Sequence, residues 1–199
     1  MEIIKNCHLI IFSALSSILI WMSMSQIARS QSLSIAGLTL TDVQTGNSFL
    51  LSSGTDSATV FVFLSPECPL CQSYTKTIRE LSTKYRNRVR FIGVFPGNSY
   101  SREKITSFVS RYQLQIPAFL DADFSTANAM NVSVTPTVVF VKQSKLVYFG
   151  AIDNWASGLG KKRNLITEHY LADAIAQSLS HQIVTVVRTE PIGCGLNMY

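Results

Sequence analysis

Two cysteines separated by two residues carry the strongest chemical signal in this chain of 199 residues. Cys68 and Cys71 follow an apolar run rich in β-branched residues, residues 59–64, which is typical of a buried strand. From Pro69 to about Arg86, apolar side chains recur at intervals of three and four, which predicts an amphipathic helix. The pattern therefore predicts a strand-to-helix junction, with Cys68 at the helix N-terminus and Cys71 one turn further on, on the same face.

A cysteine pair at this spacing suits three roles: half of a zinc site, a structural disulfide, or a redox dithiol. A zinc site needs four ligands, and the chain beyond its apolar start offers no second such pair and only His169 and His181. A disulfide across so short a loop constrains the unfolded chain little. At a helix N-terminus the macrodipole stabilises the Cys68 thiolate, the species that attacks disulfides, and Cys71 can resolve the mixed disulfide. The pattern favours a redox dithiol, and we expect no metal and no cofactor.

The rest of the chain alternates strand and helix patterns around this junction. A β-α-β unit followed by a hairpin and a closing helix predicts an α/β fold with a mixed sheet and helices on both faces. The predicted elements after an N-terminal hairpin in residues 33–52 are strands at 59–64, 89–95, 116–120, 137–141, 146–149 and 183–187, helices at 69–86, 101–112, 124–130 and 166–182, and a polar loop at 153–164.

At these residues the chain resembles the thioredoxin superfamily, and within it the exported thioredoxin-like and redoxin-like proteins. The resemblance covers roughly residues 33–182. It rests on the junction at 59–71, TVFVFLSPECPLC, on the Thr135-Pro136-Thr137 element before a predicted strand, and on Gly150 after the next strand.

The resemblance implies a thioredoxin-like fold with an added N-terminal β-hairpin, and thiol-disulfide exchange with protein substrates as the activity. It implies that Cys68 and Cys71 are catalytic. It also implies that Pro136 is cis and faces the dithiol, where it keeps the cysteines from capturing metal. The backbone of Thr135 would then pair with the extended substrate.

Three features depart from the thioredoxin pattern, two of them single residues and the third a dipeptide. Val62 stands where thioredoxin has a buried aspartate, so proton transfer at Cys71 must use water or another group. Glu67 replaces the usual tryptophan, and its charge opposes a Cys68 thiolate if the side chain points that way. The dipeptide Pro69-Leu70 donates no charged hydrogen bond to a thiolate, which favours a reductant over an oxidant.

Two other functions compete with disulfide exchange. A thiol peroxidase of the peroxiredoxin kind is supported by Ser65, three residues before Cys68, but Phe61 stands where that family has proline. A copper-binding assembly factor would use Cys68, Cys71 and the distant His169. Its cysteines would normally be separated by three residues and not by two.

A third cysteine near the C-terminus has no assigned role. Cys194 lies between Gly193 and Gly195 in what the sequence predicts to be a flexible tail. It is either an inert thiol, an intermolecular link, or a third redox cysteine that exchanges with the Cys68–Cys71 pair.

The first residues have the pattern of a secretory signal. Lys5 precedes an apolar stretch at residues 9–24, and Ala28-Arg29-Ser30 places small residues at positions −3 and −1 of a cleavage site. Gln31 would then begin the mature chain. The alternative is an uncleaved membrane anchor, although the stretch is short for a span of about 20 residues.

The sequence thus predicts a signal peptide or anchor at residues 1–30, a thioredoxin-like domain at 31–185, and a tail at 186–199. We expect an exported protein, periplasmic or envelope-associated, that residues 9–24 hold at the membrane if they are not cleaved. Outside the cytosol, disulfides form and persist. The expected partners are cysteine-containing exported proteins and a membrane or periplasmic thiol electron donor.

The charge pattern indicates no nucleic-acid surface. The net charge is +5, and its basic residues are scattered apart from residues 161–163 and the three arginines at 86, 88 and 90. Neither cluster has interleaved aromatic residues, so both are interpreted as solvated basic faces. The sequence does not specify an oligomeric state.

Overall fold

A mixed sheet of seven strands organises the domain in the computed structural model, which describes residues 37–51 and 58–196. The elements are β1 (Thr39–Asp42), β2 (Ser48–Leu50), β3 (Ala58–Phe63), α1 (Pro69–Tyr85), β4 (Arg90–Pro96), α2 (Arg102–Arg111), β5 (Ala118–Asp121), α3 (Ser125–Ala129), β6 (Val134–Thr135), β7 (Thr137–Lys142), β8 (Lys145–Gly150), β9 (Ala156–Gly158), β10 (Lys161–Lys162), α4 (Tyr170–Leu179) and β11 (Cys194–Gly195).

The strand order is β2-β1-β5-β4-β3-β7-β8. The central strands β3, β4 and β5 are parallel, whereas β7 and β8 on one side and β1 and β2 on the other are antiparallel to their neighbours. The predicted mixed α/β sheet with an N-terminal hairpin is therefore confirmed. Strand β3 lies between β4 and β7, which explains why its sequence is apolar at almost every position.

Each face of the sheet buries its own apolar core. On one face, Val60 and Val62 pack with side chains from α1, α2 and α4, such as Ile78 and Ile175. On the other face, Phe61 packs with α3 and the N-terminal hairpin. The helices thus cover both faces, as the sequence predicts. The cysteine pair follows the end of β3, and both cysteines are buried members of the first of these cores.

The closing helix is shorter than the prediction of 166–182, since α4 spans only residues 170–179. A residue outside the helical pattern accounts for this: the side-chain oxygen of Asn154 accepts hydrogen bonds from the backbone N–H groups of Thr167 and Glu168, at 3.1 and 3.3 Å. Those two N–H groups are therefore bonded to a side chain outside the helix, and α4 begins only after them, at Tyr170.

Two further predictions were wrong, one about a loop and one about a strand. The predicted polar loop at 153–164 contains the short hairpin β9–β10. The predicted strand at 183–187 is not a strand among the described residues. The backbone there instead approaches β8, with one parallel bridge between Phe149 and Arg188.

The C-terminal segment is attached to the edge of the sheet at Thr189. The Thr189 N–H donates to the Phe149 carbonyl at 2.9 Å, and the Phe149 N–H donates to the Val187 carbonyl at 3.0 Å. The Thr189 hydroxyl accepts from the Ala151 N–H at 2.9 Å and lies 2.6 Å from the Tyr148 hydroxyl. The sequence predicts a flexible tail from residue 186, but its described part, residues 186–196, follows the domain surface.

Gly150, at the end of β8, lies against Thr189 of this segment, and we expect Gly150→Ala to destabilise the fold by about 2–4 kcal/mol. Its φ is +144°, which L side chains rarely adopt, and an added Cβ would collide with Thr189. Gly158→Ala is the control, because a Cβ there meets Lys161 at an ordinary 3.6 Å. Urea unfolding measures both. Equal unfolding midpoints for the two variants would show that the close approach of Gly150 to Thr189 does not require glycine.

The predicted signal or anchor at residues 9–24 and the cleavage site before Gln31 lie outside the described residues. Within 37–51 and 58–196, no helix has the length and apolar character needed to cross a membrane.

Candidate active site

Cys68 is the N-cap of α1, in agreement with the predicted junction. Its φ and ψ of −77° and 116° are extended, and α1 starts with Pro69, whose missing N–H costs nothing at that position. No side chain of the described residues caps this helix. The Cys68 sulfur is thus placed at the positive end of the helix dipole, where a thiolate is stabilised.

The structure joins Cys68 to Cys194 in a disulfide, across a separation of 126 residues. Their Cα atoms are 6.0 Å apart, within the usual range for a disulfide. Cys71 is the free cysteine of the described residues, and it is buried. The sequence pattern predicts Cys71 as the redox partner of Cys68 and leaves the role of Cys194 open. In this state of the protein, Cys194 is the partner.

Backbone pairing places Cys194 beside the dithiol. Strand β11 is antiparallel to β6, with Cys194 opposite Thr135 and Gly195 opposite Val134. The Leu196 N–H continues the ladder by donating to the Ser133 carbonyl at 2.9 Å. The C-terminal segment therefore pairs with the backbone of Thr135. The family resemblance implies that the same backbone pairs with an extended substrate.

The Thr135–Pro136 peptide bond is cis, as the resemblance implies. It brings the Thr135 carbonyl oxygen to 3.3 Å from the Cys68 sulfur. That sulfur carries no hydrogen in the disulfide, so the approach is a van der Waals contact in this state. Once reduced, the Cys68 thiol can donate a hydrogen bond to the same carbonyl.

Cys71 is a thiol at neutral pH, because burial raises its pKa to about 12. The Ser65 N–H, which donates to the Cys71 sulfur at 3.4 Å, partly opposes that rise, and so does the hydroxyl of Thr135. The Thr135 hydroxyl is buried and has no hydrogen-bond partner among the described residues. It can therefore turn to the Cys71 thiolate when that forms, a role that the sequence pattern did not indicate.

Removing this hydroxyl should make Cys71 harder to ionise. We expect Thr135→Val to slow alkylation of Cys71 by about tenfold at pH 8, since a pKa rise of about one unit lowers the thiolate fraction tenfold. Thr137→Val is the matched control: its buried hydroxyl donates to the Val134 carbonyl, at 2.7 Å. If both variants slowed alkylation equally, the effect would be attributed to a general loss of packing at the site and not to the Thr135 hydroxyl.

Glu67 points away from the cysteines toward α2. Its carboxylate forms an ion pair with Lys104, whose ammonium also lies 5.2 Å from the centre of the Tyr100 ring. Both charged side chains are exposed, so the pair adds little stability. The pairing partly neutralises the charge next to Cys68, and the opposition to thiolate formation that the sequence suggests is correspondingly reduced.

A cavity of about 200 Å³ borders Pro136 beside the C-terminal segment. In its wall the Tyr74 hydroxyl donates to the buried Asp153 carboxylate at 2.7 Å, and burial together with this carboxylate raises the pKa of Tyr74. Trp155 packs edge-on against the Tyr74 ring at 5.4 Å. The Tyr74–Asp153 pair had no sequence signal, because its members are 79 positions apart.

The ligand set of a copper site is not assembled. His169 is exposed at the N-terminus of α4. Within the part of the chain that the structure describes, no three His, Cys, Asp or Glu side chains come together in a group suited to a metal ion. The copper hypothesis therefore has no geometric support.

Comparison with known proteins places the chain in a family. A family model described as Redoxin matches residues 31–154, more than half of the chain. The chain belongs to the Redoxin family. The matched region of this Redoxin protein includes both Cys68 and Cys71, as well as the cis-Pro136.

Solved structures show the same fold at low sequence identity. A hypothetical protein from Sinorhizobium meliloti 1021 is 24% identical with a TM-score of 0.72, over 83% of this chain and 92% of that one. An uncharacterized conserved protein from Geobacillus kaustophilus is 23% identical with a TM-score of 0.70, over 81% and 88%. A secreted disulfide oxidoreductase of Mycobacterium tuberculosis is 21% identical with a TM-score of 0.52, over 73% and 96%. The predicted thioredoxin-like fold is thereby confirmed.

One curated relative is named as a peroxidase and not as a disulfide oxidoreductase. It is the "Probable glutathione peroxidase 8" of Arabidopsis thaliana, which is 26% identical over 159 residues, covering 75% of this chain and 92% of the relative.

Proposed function

We propose that this Redoxin protein is an exported thiol-disulfide oxidoreductase with Cys68 as the nucleophile and Cys71 as the resolving cysteine. One observation carries the proposal. Cys68, at a helix N-terminus, is disulfide-bonded to a cysteine in an extended segment that pairs with Thr135, while Cys71 remains a thiol one turn away. This is the arrangement of a mixed disulfide between an oxidoreductase and a peptide.

The reaction consists of two exchanges. The Cys68 thiolate attacks one sulfur of a partner disulfide; that bond breaks, and the other partner sulfur leaves as a thiolate and takes up a proton. The Cys71 thiolate then attacks the Cys68 sulfur, which releases the second partner thiol and leaves a Cys68–Cys71 disulfide. The partner gains two electrons and the dithiol loses two. Thr135 and Pro136 hold the partner segment in an extended form beside Cys68.

Two features beside Cys68 support the reducing direction, because they counteract the stabilisation of its thiolate by the dipole of α1. The Thr135 carbonyl, 3.3 Å from the sulfur, can only accept hydrogen bonds, so it favours the Cys68 thiol over the thiolate. Pro69-Leu70 offers no charged donor. A strong oxidant needs a stabilised thiolate in its reduced form, which these groups do not favour.

The substrates we propose are cysteine-containing exported proteins, with a thiol donor in the membrane or periplasm supplying electrons. Three observations support this location: the apolar stretch at residues 9–24 and the small residues before Gln31, the disulfide itself, and the similarity in fold to an oxidoreductase that is described as secreted.

The test is a redox titration of the purified protein in glutathione and dithiothreitol buffers, with thiols trapped and located by mass spectrometry. We expect a two-electron transition that involves Cys68, near the roughly −270 mV of thioredoxin. A transition near about −120 mV would reverse the direction. No reversible transition of Cys68 between these limits would overturn the proposal.

A thiol peroxidase is the second candidate, and the Arabidopsis relative favours it. The structure gives it less support, because the Ser65 hydroxyl donates to the Tyr100 hydroxyl at 3.0 Å, away from the Cys68 sulfur. Peroxide consumption with dithiothreitol as the reductant separates the two candidates. Turnover of peroxide faster than of a protein disulfide would favour the peroxidase.

A further inference from the structure

The C-terminal segment reaches the dithiol along a defined path. Thr189 attaches it to β8, Ile192 packs on the core that contains the cysteine pair, and Leu196 packs on the opposite core. Between these anchors, Cys194 pairs with the Thr135 backbone. The position of Cys194 is therefore built into the fold by contacts on both sides of it.

The C-terminal segment and an external partner compete for the same position beside Cys68 and the backbone of Thr135. In this state Cys68 is only 2% exposed, and the backbone of Thr135 is already paired. An external thiol therefore cannot reach the Cys68 sulfur, and Cys68 has no thiolate to attack an external disulfide, until Cys194 leaves.

Gly193 is the residue that allows this close approach. A Cβ at this position would collide with the carbonyl group of Thr135. A Cβ on Gly195, two residues further, would meet no atom within 4 Å. The groove beside Thr135 thus accepts an extended segment in which the residue before the cysteine has no side chain.

We propose that residues 192–196 are an internal substrate and that Cys194 is a third redox cysteine of this protein. The proposal rests on the proposed function, because it assigns the groove along Thr135 to the cysteine-bearing segment of a substrate. The same groove then selects external substrates of one chemical class: extended peptides with glycine immediately before the cysteine and an apolar residue before that glycine.

The exchange needs no external oxidant. The Cys71 thiolate attacks the Cys68 sulfur, the Cys68–Cys194 bond breaks, and the Cys68–Cys71 bond forms. Cys194 leaves as a thiolate and takes up the proton that Cys71 lost, so no electrons are gained or lost overall. The protein therefore has two oxidised isomers, a closed one with Cys194 in the groove and an open one with the groove free.

Disulfide mapping of glycine variants tests the inference. The reduced protein is oxidised with one equivalent of diamide, its remaining thiols are alkylated, and the two isomers are quantified by mass spectrometry. We expect both isomers in the wild type, a share of the Cys68–Cys194 isomer at least tenfold lower in Gly193→Ala, and a share within twofold of wild type in Gly195→Ala. Equal shares in the two variants, or no Cys68–Cys194 isomer in the wild type, would overturn the inference.

Peptides test the same groove from outside. Reduced wild type is mixed with two copies of residues 189–196, with glycine or alanine before the cysteine, each activated as a thionitrobenzoate disulfide. We expect the glycine peptide to react with Cys68 at least tenfold faster, and equal rates would count against an internal substrate. Exchange with a denatured protein disulfide is measured in parallel. If that exchange persists while the glycine effects are missing, only this inference fails; if exchange is absent, the proposed function fails.

Discussion

Cys68→Ser is expected to reduce disulfide exchange to the uncatalysed rate, a loss of at least about 100-fold. Cys71 is a buried thiol at neutral pH and Cys194 lies in the short strand β11, so neither can replace the Cys68 thiolate. Cys71→Ser, made on the Cys194→Ser background so that Cys194 cannot act in its place, should instead keep the first attack and accumulate a mixed disulfide between Cys68 and the partner, since no described thiol remains to resolve it. Non-reducing gels and mass spectrometry of trapped reactions measure both results.

Cys194→Ser is the stability-matched control for Cys68→Ser. Both variants lose the same cross-link, which spans 126 residues and contributes about 4–5 kcal/mol in the chain-entropy description. Similar unfolding midpoints with exchange lost only in Cys68→Ser would assign the loss to chemistry. Exchange that persists in Cys68→Ser would remove the nucleophile from the proposed function.

The local pattern around the cysteines is sufficient to predict the centre of the fold. The apolar run of β3 and the three-and-four spacing of α1 each span enough residues for a periodic signal. Where the two patterns meet, Cys68 can only fall at the start of the helix, which is where the N-cap lies. The cis geometry of Pro136 came from family resemblance and not from the residues themselves, since a lone Thr-Pro favours a trans bond.

The partner of Cys68 could not be predicted in the same way. Strand β11 has only two residues, too short for any alternation of apolar and polar positions. Its pairing with β6 depends on contacts more than 50 residues away in sequence, and the one local sign, Gly193 before Cys194, is also typical of a flexible tail. The predicted start of the closing helix failed for a similar reason, since Asn154 lies outside the helical pattern that it limits.

The rate at which Cys71 resolves a mixed disulfide should rise about tenfold per pH unit between pH 7 and 10. Burial raises the pKa of Cys71 from an ordinary 9.0 to about 12. Only the thiolate attacks, and below this pKa its fraction grows tenfold for each unit of pH. At pH 7 almost all of Cys71 is protonated, so the small thiolate fraction limits the rate of the step.

The measurement uses Cys194→Ser with a thionitrobenzoate group on Cys68, whose release by Cys71 is followed by absorbance. This variant removes competition from the C-terminal segment, and Cys71→Ser on the same background gives the rate of release by water and buffer. A rate that levels off near pH 9 would show that Cys71 titrates as an exposed thiol does. A continued rise of the rate with pH is the expected result. Val62 stands where thioredoxin has an aspartate, so no carboxylate at that position can take the proton from the Cys71 thiol. The Thr135 hydroxyl can stabilise the Cys71 thiolate but cannot accept a proton from Cys71 at neutral pH.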